Sequence, residues 1–139
     1  MKESSLQLIG KPRINSFVYE TNKKYKATNE KLNVNIKQDI SISKAKNKQL
    51  REAAVVLKLG IFTMTDFTTV PFKIELEIEG HFKWDEALDK EKSVLKKMLE
   101  ENAPAILYTF VRPFITLITF EANMPPLVIP LLNFKKKTE

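Results

Sequence analysis

The stretch FKIELEIE, residues 72–79, decides the fold because apolar and charged side chains alternate at every position. Successive side chains of a β-strand point to opposite faces, so one face of this strand is apolar. The other face is acidic and carries Glu75, Glu77 and Glu79. Antiparallel sheets often bury one face and leave the other in solvent. The stretch therefore predicts an antiparallel sheet with a wet, acidic outer face.

Further strands are predicted upstream at residues 6–17, 32–36, 40–42 and 53–62, which are rich in apolar or alternating side chains. Pro12 restricts the first of these to a sheet edge or a bend. The polar residues 23–31 read as a crossing loop. The spacing predicts four antiparallel strands joined as a meander with one longer crossing.

The pattern changes to helical spacing after the last strand. Residues 85–101 carry apolar side chains at helical intervals among charges, and Asn102 is predicted to cap a new helix with Pro104 in its first turn. The main helix is predicted at residues 105–121, with Pro113 bending it or marking its start. An extended apolar tail follows at residues 127–134. Strands followed by helices predict a single α+β domain over residues 1–139.

The predicted main helix is apolar on every side. Such a helix must be covered on more than one face, and the sheet covers only one. The other face must therefore meet a partner subunit or a ligand. Arg112 lies within this apolar segment and is expected to pair with a carboxylate of the strand layer or across an oligomer interface.

The same apolar segment is also a candidate membrane-spanning helix. Residues 103–120 reach the length of a membrane span, but a central arginine costs about 2.5–3.5 kcal/mol on insertion scales. We therefore expect a protein core helix and no membrane insertion. The first five residues lack the apolar region of a secretory signal, so a cytoplasmic location is expected.

Composition narrows the function classes. The 139 residues include no cysteine, one histidine and three separated glycines. Disulfides, zinc–thiolate sites, thiol nucleophiles, dinucleotide fingerprints and P-loops are excluded, and no metal or cofactor is expected. His81 beside Asp85 or Glu86 is better explained as a structural histidine than as an acid–base pair. The chain is therefore not expected to be an enzyme.

The net charge of +6 points to nucleic acid, acidic proteins or a membrane surface as partners. The lysines are scattered and are not interleaved with aromatic side chains, which favours an ordinary solvated surface. A basic nucleic-acid-binding module remains the rival hypothesis. It predicts an affinity that falls steeply with salt.

Three ordered motifs run through the second half. Residues 72–82 end in Gly-x-Phe, and residues 104–116 read Pro-x-Ile-Leu, four spacers, Arg, two more residues and Ile-Thr. Residues 125–134 carry Pro-x-Leu and then Asn-Phe. This set resembles the SecB family of export chaperones. The resemblance implies a four-stranded antiparallel sheet packed by a long helix, assembled as a homo-tetramer that is a dimer of dimers.

The resemblance also implies a function. SecB-like proteins are ATP-independent holdases that keep presecretory proteins unfolded and pass them to SecA. Relatives also serve as dedicated chaperones of an antitoxin, which is the alternative within the family. The implied docking residues for SecA are Glu75, Glu77 and Glu79. The implied client groove is lined by Tyr25, Leu32, Val34, Ile36, Tyr108, Val111, Phe114, Ile115 and Ile118.

Overall fold

A computed structural model describes residues 6–26, 33–47, 49–64, 66–124, 128–130, 132 and 134. Its strands are β1 (Gln7–Thr21), β2 (Ile36–Lys44), β3 (Glu52–Ile61) and β4 (Phe72–Lys83). Its helices are α1 (Glu86–Asp89), α2 (Lys92–Lys97) and α3 (Ala103–Glu121). A 3₁₀ turn covers Phe67–Thr69, and a π-helical turn, Met98–Asn102, joins α2 to α3. The predicted α+β class and the main helix are confirmed.

The four strands form one antiparallel sheet in the order β1-β4-β3-β2. Strands β2, β3 and β4 are a meander, whereas β1 lies on the far side of β4. The connection from β1 to β2 therefore crosses from one edge of the sheet to the other, as predicted.

The second strand begins later than predicted. Instead of two segments at 32–36 and 40–42, β2 is one strand, and residues 33–35 lie outside it; Leu32 is not among the described residues. The ladder ends at the pair Ile36 and Ile61 because Phe62 leaves the strand with a φ of 61°. The N–H of Phe62 still donates to the carbonyl of Asn35 at 2.9 Å, just beyond the last paired residues.

The core lies between the sheet and α3. Alternate residues of β3 and β4 are buried, and α3 buries a stripe at Ala103, Leu107, Val111, Ile115 and Thr119. Burial of each large apolar side chain contributes about 1.5–3 kcal/mol. Gly80 permits the close approach, because a Cβ there would lie 2.6 Å from the Cδ2 of Leu107.

The predicted helix break at Asn102 is wrong. Asn102 has helical φ and ψ of −77° and −43° and makes no side-chain cap hydrogen bond. Residues Lys92–Glu121 instead form one 30-residue helix. A proline in a helix interior clashes with the carbonyl four residues earlier, and the wider π-helical turn directly before Pro104 provides the room.

This 30-residue helix is long and apolar enough to cross a membrane by length and composition alone. In the structure it packs on the sheet, and 39% of its most apolar window is buried. Pro113 lies inside α3 and does not mark its start. One face of the helix is thus core, and the opposite face remains to be explained.

Candidate functional site

The face of α3 that points away from the sheet is apolar and uncovered. Phe110, Leu117 and Phe120 are 41%, 54% and 62% exposed, and Pro113 lies between them. We call these four residues the helix stripe. Pro113, Leu117 and Phe120 line a shallow depression of about 490 Å³ that is almost wholly apolar. Exposed apolar patches of this kind mark interaction surfaces.

The helix stripe has the spacing of a helix that packs on another helix. Its members are separated by three, four and three residues, the alternation of a heptad repeat. Ile106, four residues before Phe110, is half-buried and extends the spacing by one position. The sequence contains this signal, but the sequence reasoning did not separate the stripe from the rest of the all-apolar helix.

A second surface of α3 flanks the stripe on the side of β1. Phe114 and Ile118 are half-buried there. The ring of Phe114 meets that of Phe17 from β1 edge-to-face, with centroids 5.0 Å apart and planes at 77°. Such aromatic pairs contribute about 0.5–1.5 kcal/mol beyond the burial of their area.

The tail, whose described residues are 128–130, 132 and 134, lies against α3 at Tyr108 and Arg112. The hydroxyl of Tyr108 donates to the carbonyl of Pro130, and Nε of Arg112 donates to the carbonyl of Ile129 at 3.1 Å. Ile129 is fully buried, and the ring of Phe134 meets that of Tyr108 edge-to-face at 5.7 Å. Burial raises the pKa of Tyr108 above its ordinary 10.0, against the charge of Arg112, which lowers it.

The predicted pairing of Arg112 with a carboxylate of the strand layer is wrong, and its pairing across an oligomer interface stays a prediction. The contact that the structure shows is a main-chain carbonyl, and no carboxylate lies within 4.0 Å among the described residues. A carbonyl oxygen can accept from a guanidinium, so the charge needs no carboxylate partner to have a hydrogen bond in a half-buried position.

The structure places the predicted groove residues at three depths. Tyr108, Val111 and Ile115 are buried in the single chain, and Tyr25, Ile36, Phe114 and Ile118 are half-buried. Val34 is 36% exposed, and Leu32 lies outside the described residues. Phe114 and Ile118 share one flank of α3, whereas Ile36 lies at the start of β2, on the opposite edge of the sheet from β1.

The predicted acidic residues lie on the outer face of the sheet, but two of them are engaged. Glu79 accepts from Asn15 at 3.2 Å and meets His81 at 2.9 Å and Arg13 at 3.4 Å. The hydrogen bond from Asn15 is the largest cause that lowers the pKa of Glu79; burial opposes it, and the hydrogen bond with His81 and the charge of Arg13 add to the lowering. Glu77 accepts from Asn15 at 2.9 Å and pairs with Lys58 at 3.7 Å.

Asn15 reaches both carboxylates because β1 is irregular there. The register shifts between the pairs Ile14–Ile78 and Ser16–Glu77, which leaves Asn15 as the extra residue of a β-bulge. Bulges re-aim side chains in this way. No sequence pattern marked Asn15 as part of this cluster.

Glu75 differs from its two neighbours on the strand. It is exposed and makes no ion pair with any described residue. It borders an open depression of about 510 Å³, which is floored by Gly60 and rimmed by charged side chains that include Lys37 and Asp39. Among the residues that the structure describes, no three metal-ligating side chains are grouped.

Comparisons with known proteins agree on one family. The family described as preprotein translocase subunit SecB matches residues 9–137. An uncharacterised protein of Methanocaldococcus jannaschii is 32% identical over 105 residues, which cover 75% of this chain and 64% of that protein. The protein-export protein SecB of Anaplasma phagocytophilum is 35% identical over 68 residues, which cover 49% of this chain and 43% of that protein. The chain thus matches between about two fifths and two thirds of the length of these curated relatives.

Two solved structures share the fold. A Mycobacterium tuberculosis SecB-like chaperone, solved in complex with a ChAD peptide from an antitoxin, superposes with a TM-score of 0.66 at 13% identity. That match covers 92% of this chain and 88% of the other. A Streptococcus agalactiae protein of unknown function superposes with a TM-score of 0.52 at 13% identity, covering 93% and 99%.

The fold places this chain among α+β proteins in which one long helix lies on a four-stranded antiparallel sheet. The sequence match narrows that class, since it covers nearly the whole chain. The chain belongs to the SecB family, as the motifs of its second half predicted.

Proposed function

We propose that this protein is an ATP-independent holdase that binds unfolded polypeptides in the cytoplasm. The observation that carries the proposal is the apolar outer side of α3, where the helix stripe and the Phe114 flank remain accessible in the single chain. Apolar contacts are non-directional, so one such surface binds many sequences. A holdase of this kind uses no catalytic residue, metal or cofactor.

We assign the helix stripe to assembly. A heptad-spaced stripe fits a second helix of the same kind, and a second copy of this chain supplies one. In the homo-tetramer expected from the family resemblance, a dimer of dimers, this contact supplies one of the two kinds of interface. Assembly through the stripe leaves the flanks of α3 for clients.

The proposed client groove has two parts, because Phe114 and Ile118 lie on the flank of α3 beside β1, whereas Ile36 begins β2 at the opposite edge of the sheet. Its accessible members are the half-buried Phe114, Ile118, Ile36 and Tyr25 together with Val34. Val111 and Ile115 belong to the buried stripe of α3 that packs on the sheet and support the groove from within the core, and Tyr108 is buried beside the tail. Leu32 is the remaining proposed member.

The proposed clients are presecretory proteins on the way to Sec-dependent export. The export assignment is supported by the family match and by the relative named as a protein-export protein. The alternative client is an antitoxin, supported by the shared fold of the Mycobacterium tuberculosis chaperone solved with an antitoxin peptide.

The proposed docking surface for SecA is the acidic row of β4. Glu75 is its exposed member, since Glu77 and Glu79 already bind Asn15 and basic side chains. We predict that Glu75→Lys with Glu77→Lys weakens SecA binding by at least ten-fold, because two attractive charges become repulsive. Client binding stays unchanged. Titration of SecA measured by calorimetry, with the Lys83→Glu variant as the charge control on the same strand, checks this.

The proposed function is tested by light scattering joined to an aggregation assay. An unfolded, non-native polypeptide is diluted into buffer without ATP at low and high salt, with and without the protein. A tetramer that suppresses aggregation at both salt concentrations supports the holdase. Loss of the effect at high salt, together with salt-sensitive binding of oligonucleotides, supports the nucleic-acid-binding rival. A monomer that suppresses no aggregation contradicts the proposal.

A further inference from the structure

We propose that the side of α3 that carries Tyr108 and Arg112 is a binding site for an extended apolar peptide, and that the chain's own tail occupies it until a client replaces it. This inference rests on the proposed holdase function. In this proposal Tyr108 and Arg112 recognise the main chain of the bound peptide, and the tail of the same chain competes with a client for the site.

The first argument is what the two side chains bind. Tyr108 and Arg112 lie one turn apart on α3 and donate to the carbonyls of two consecutive tail residues, Pro130 and Ile129. Every peptide segment offers main-chain carbonyls, whatever its side chains. A pair of donors at this spacing therefore holds an extended segment without reading its sequence, which is what a holdase requires.

The second argument is the burial pattern of the tail. Val128 is 70% exposed, Ile129 is fully buried, and Pro130 is exposed again. Leu132 is half-buried and Phe134 is 7% exposed, beside Tyr108. Ile129, Leu132 and Phe134 thus lie against the apolar surface, whereas Val128 and Pro130 face solvent. A client segment with apolar residues at similar separations makes the same kind of contact.

The third argument is how lightly the tail's backbone is attached. Among the described residues, no main-chain hydrogen bond joins the tail to the sheet or to α3. Pro130 has no N–H to donate, so at that residue the tail offers only its carbonyl. A client that occupies the same place regains the two side-chain hydrogen bonds and the apolar contacts, and among the described residues replacement breaks no main-chain ladder.

The chain connection sets the strength of the competition. The tail follows α3 after a few residues, and a short tether gives an effective concentration on the order of millimolar. A client therefore meets a site that is mostly occupied, and its apparent affinity falls by the fraction of molecules with a free site. A weaker tail raises the apparent affinity for a client without any new contact.

The test uses the full chain and one probe, a fluorescein-labelled peptide with the sequence of residues 125–134. Binding is followed by fluorescence anisotropy for the wild type and Ile129→Ala. Ile129→Ala removes the fully buried anchor of the tail, and we expect it to bind the probe about ten-fold more tightly than the wild type. Tyr108→Phe in the Ile129→Ala background is expected to weaken the probe several-fold, because it deletes only the hydroxyl.

Leu95→Ala is the matched control. Leu95 is 4% exposed and belongs to the same core, but it lies in α2, outside the tail and outside the part of α3 that carries the two donors. It produces a similar cavity and is expected to bind the probe as the wild type does. Circular dichroism and thermal melting establish that each variant folds.

Equal probe affinity for the wild type, Ile129→Ala and Leu95→Ala would overturn the inference and make the tail a structural element only. If Ile129→Ala does not fold, Ile129→Val replaces it, with an expected two- to three-fold gain, and no gain would overturn the inference. Failure of the wild type to suppress aggregation overturns the proposed function separately, since tighter probe binding by Ile129→Ala would still support the site.

Discussion

The outer face of the sheet and the outer face of α3 both meet solvent, but they differ in what they leave unsatisfied. On the sheet, Glu77 and Glu79 are paired within the chain by Asn15, Arg13 and Lys58. On the helix, the stripe of Phe110, Pro113, Leu117 and Phe120 has no covering segment among the described residues. The charged side chains of the sheet therefore have partners or solvent in a single chain. The apolar side chains of the helix stripe are stabilised only when another molecule covers them.

The largest expected effect comes from charged substitutions on the apolar outer face of α3. Leu117→Asp with Phe120→Asp is expected to raise the dissociation constant of the assembly at least a hundred-fold, because two carboxylates would have to be buried without partners. Light scattering should then give a mass below that of the tetramer. Glu75→Lys with Glu77→Lys is the control on the polar face and should leave the mass unchanged. An assembly that survives the aspartates would show that the stripe is not the contact between copies.

A smaller effect separates two phenylalanines of the same helix. Phe114→Ala loses the edge-to-face contact with Phe17 and half-buried area, and is expected to cost about 2–3 kcal/mol of unfolding free energy. Phe110→Ala removes an exposed ring and is expected to cost under about 1 kcal/mol. Urea unfolding in the Leu117→Asp, Phe120→Asp background removes the contribution of the stripe contact from both measurements. Equal costs would mean that Phe110 is covered in the single chain.

Sequence reasoning succeeded where a local pattern determines structure. The alternation of β4 predicted its buried face, the apolar run at residues 53–62 predicted β3, and the crossing from β1 to β2 followed from the polar residues between them. These features depend on periodicity, which each segment carries by itself.

The errors occurred where the local structure depends on contacts that the local sequence pattern does not contain. The pattern at Asn102 predicted a helix cap because Pro104 follows it. The π-helical turn accommodates the proline instead, and no residue pattern marks that turn in the sequence. The hydrogen-bond partner of Arg112 within the chain is a main-chain carbonyl. Every residue has one, so no residue type marks this partner in the sequence. The Asn15 cluster depends on a bulge whose position is set by the register of β1 against β4.

The smallest expected effect concerns the polar face. The pKa of Glu79 is lowered in the folded chain, so its contribution to stability is present above its ordinary value of 4.5 and is lost as the pH falls through the lowered value. The wild type should therefore lose slightly more stability than Glu79→Gln between pH 6 and pH 3, by less than about 1 kcal/mol at this surface position.

The Glu79 prediction is checked by urea unfolding at both pH values. Glu75→Gln is the matched control, because Glu75 lies on the same strand and makes no ion pair with a described residue. A loss of stability in Glu79→Gln as large as that of the wild type would show that the cluster around Asn15 does not bind the carboxylate in solution.

The strand order has a consequence for how this chain folds. Strands β2, β3 and β4 pair with their sequence neighbours, but β1 ends at Thr21 and pairs with β4, which begins only at Phe72. Loop-closure entropy delays such distant pairings, so β1 is expected to join the sheet last. Until it does, Phe17 and Tyr19 of β1 remain unpaired in a nascent chain. A protein proposed to bind unfolded chains thus exposes, during its own folding, an unpaired apolar strand of the kind that it is proposed to bind.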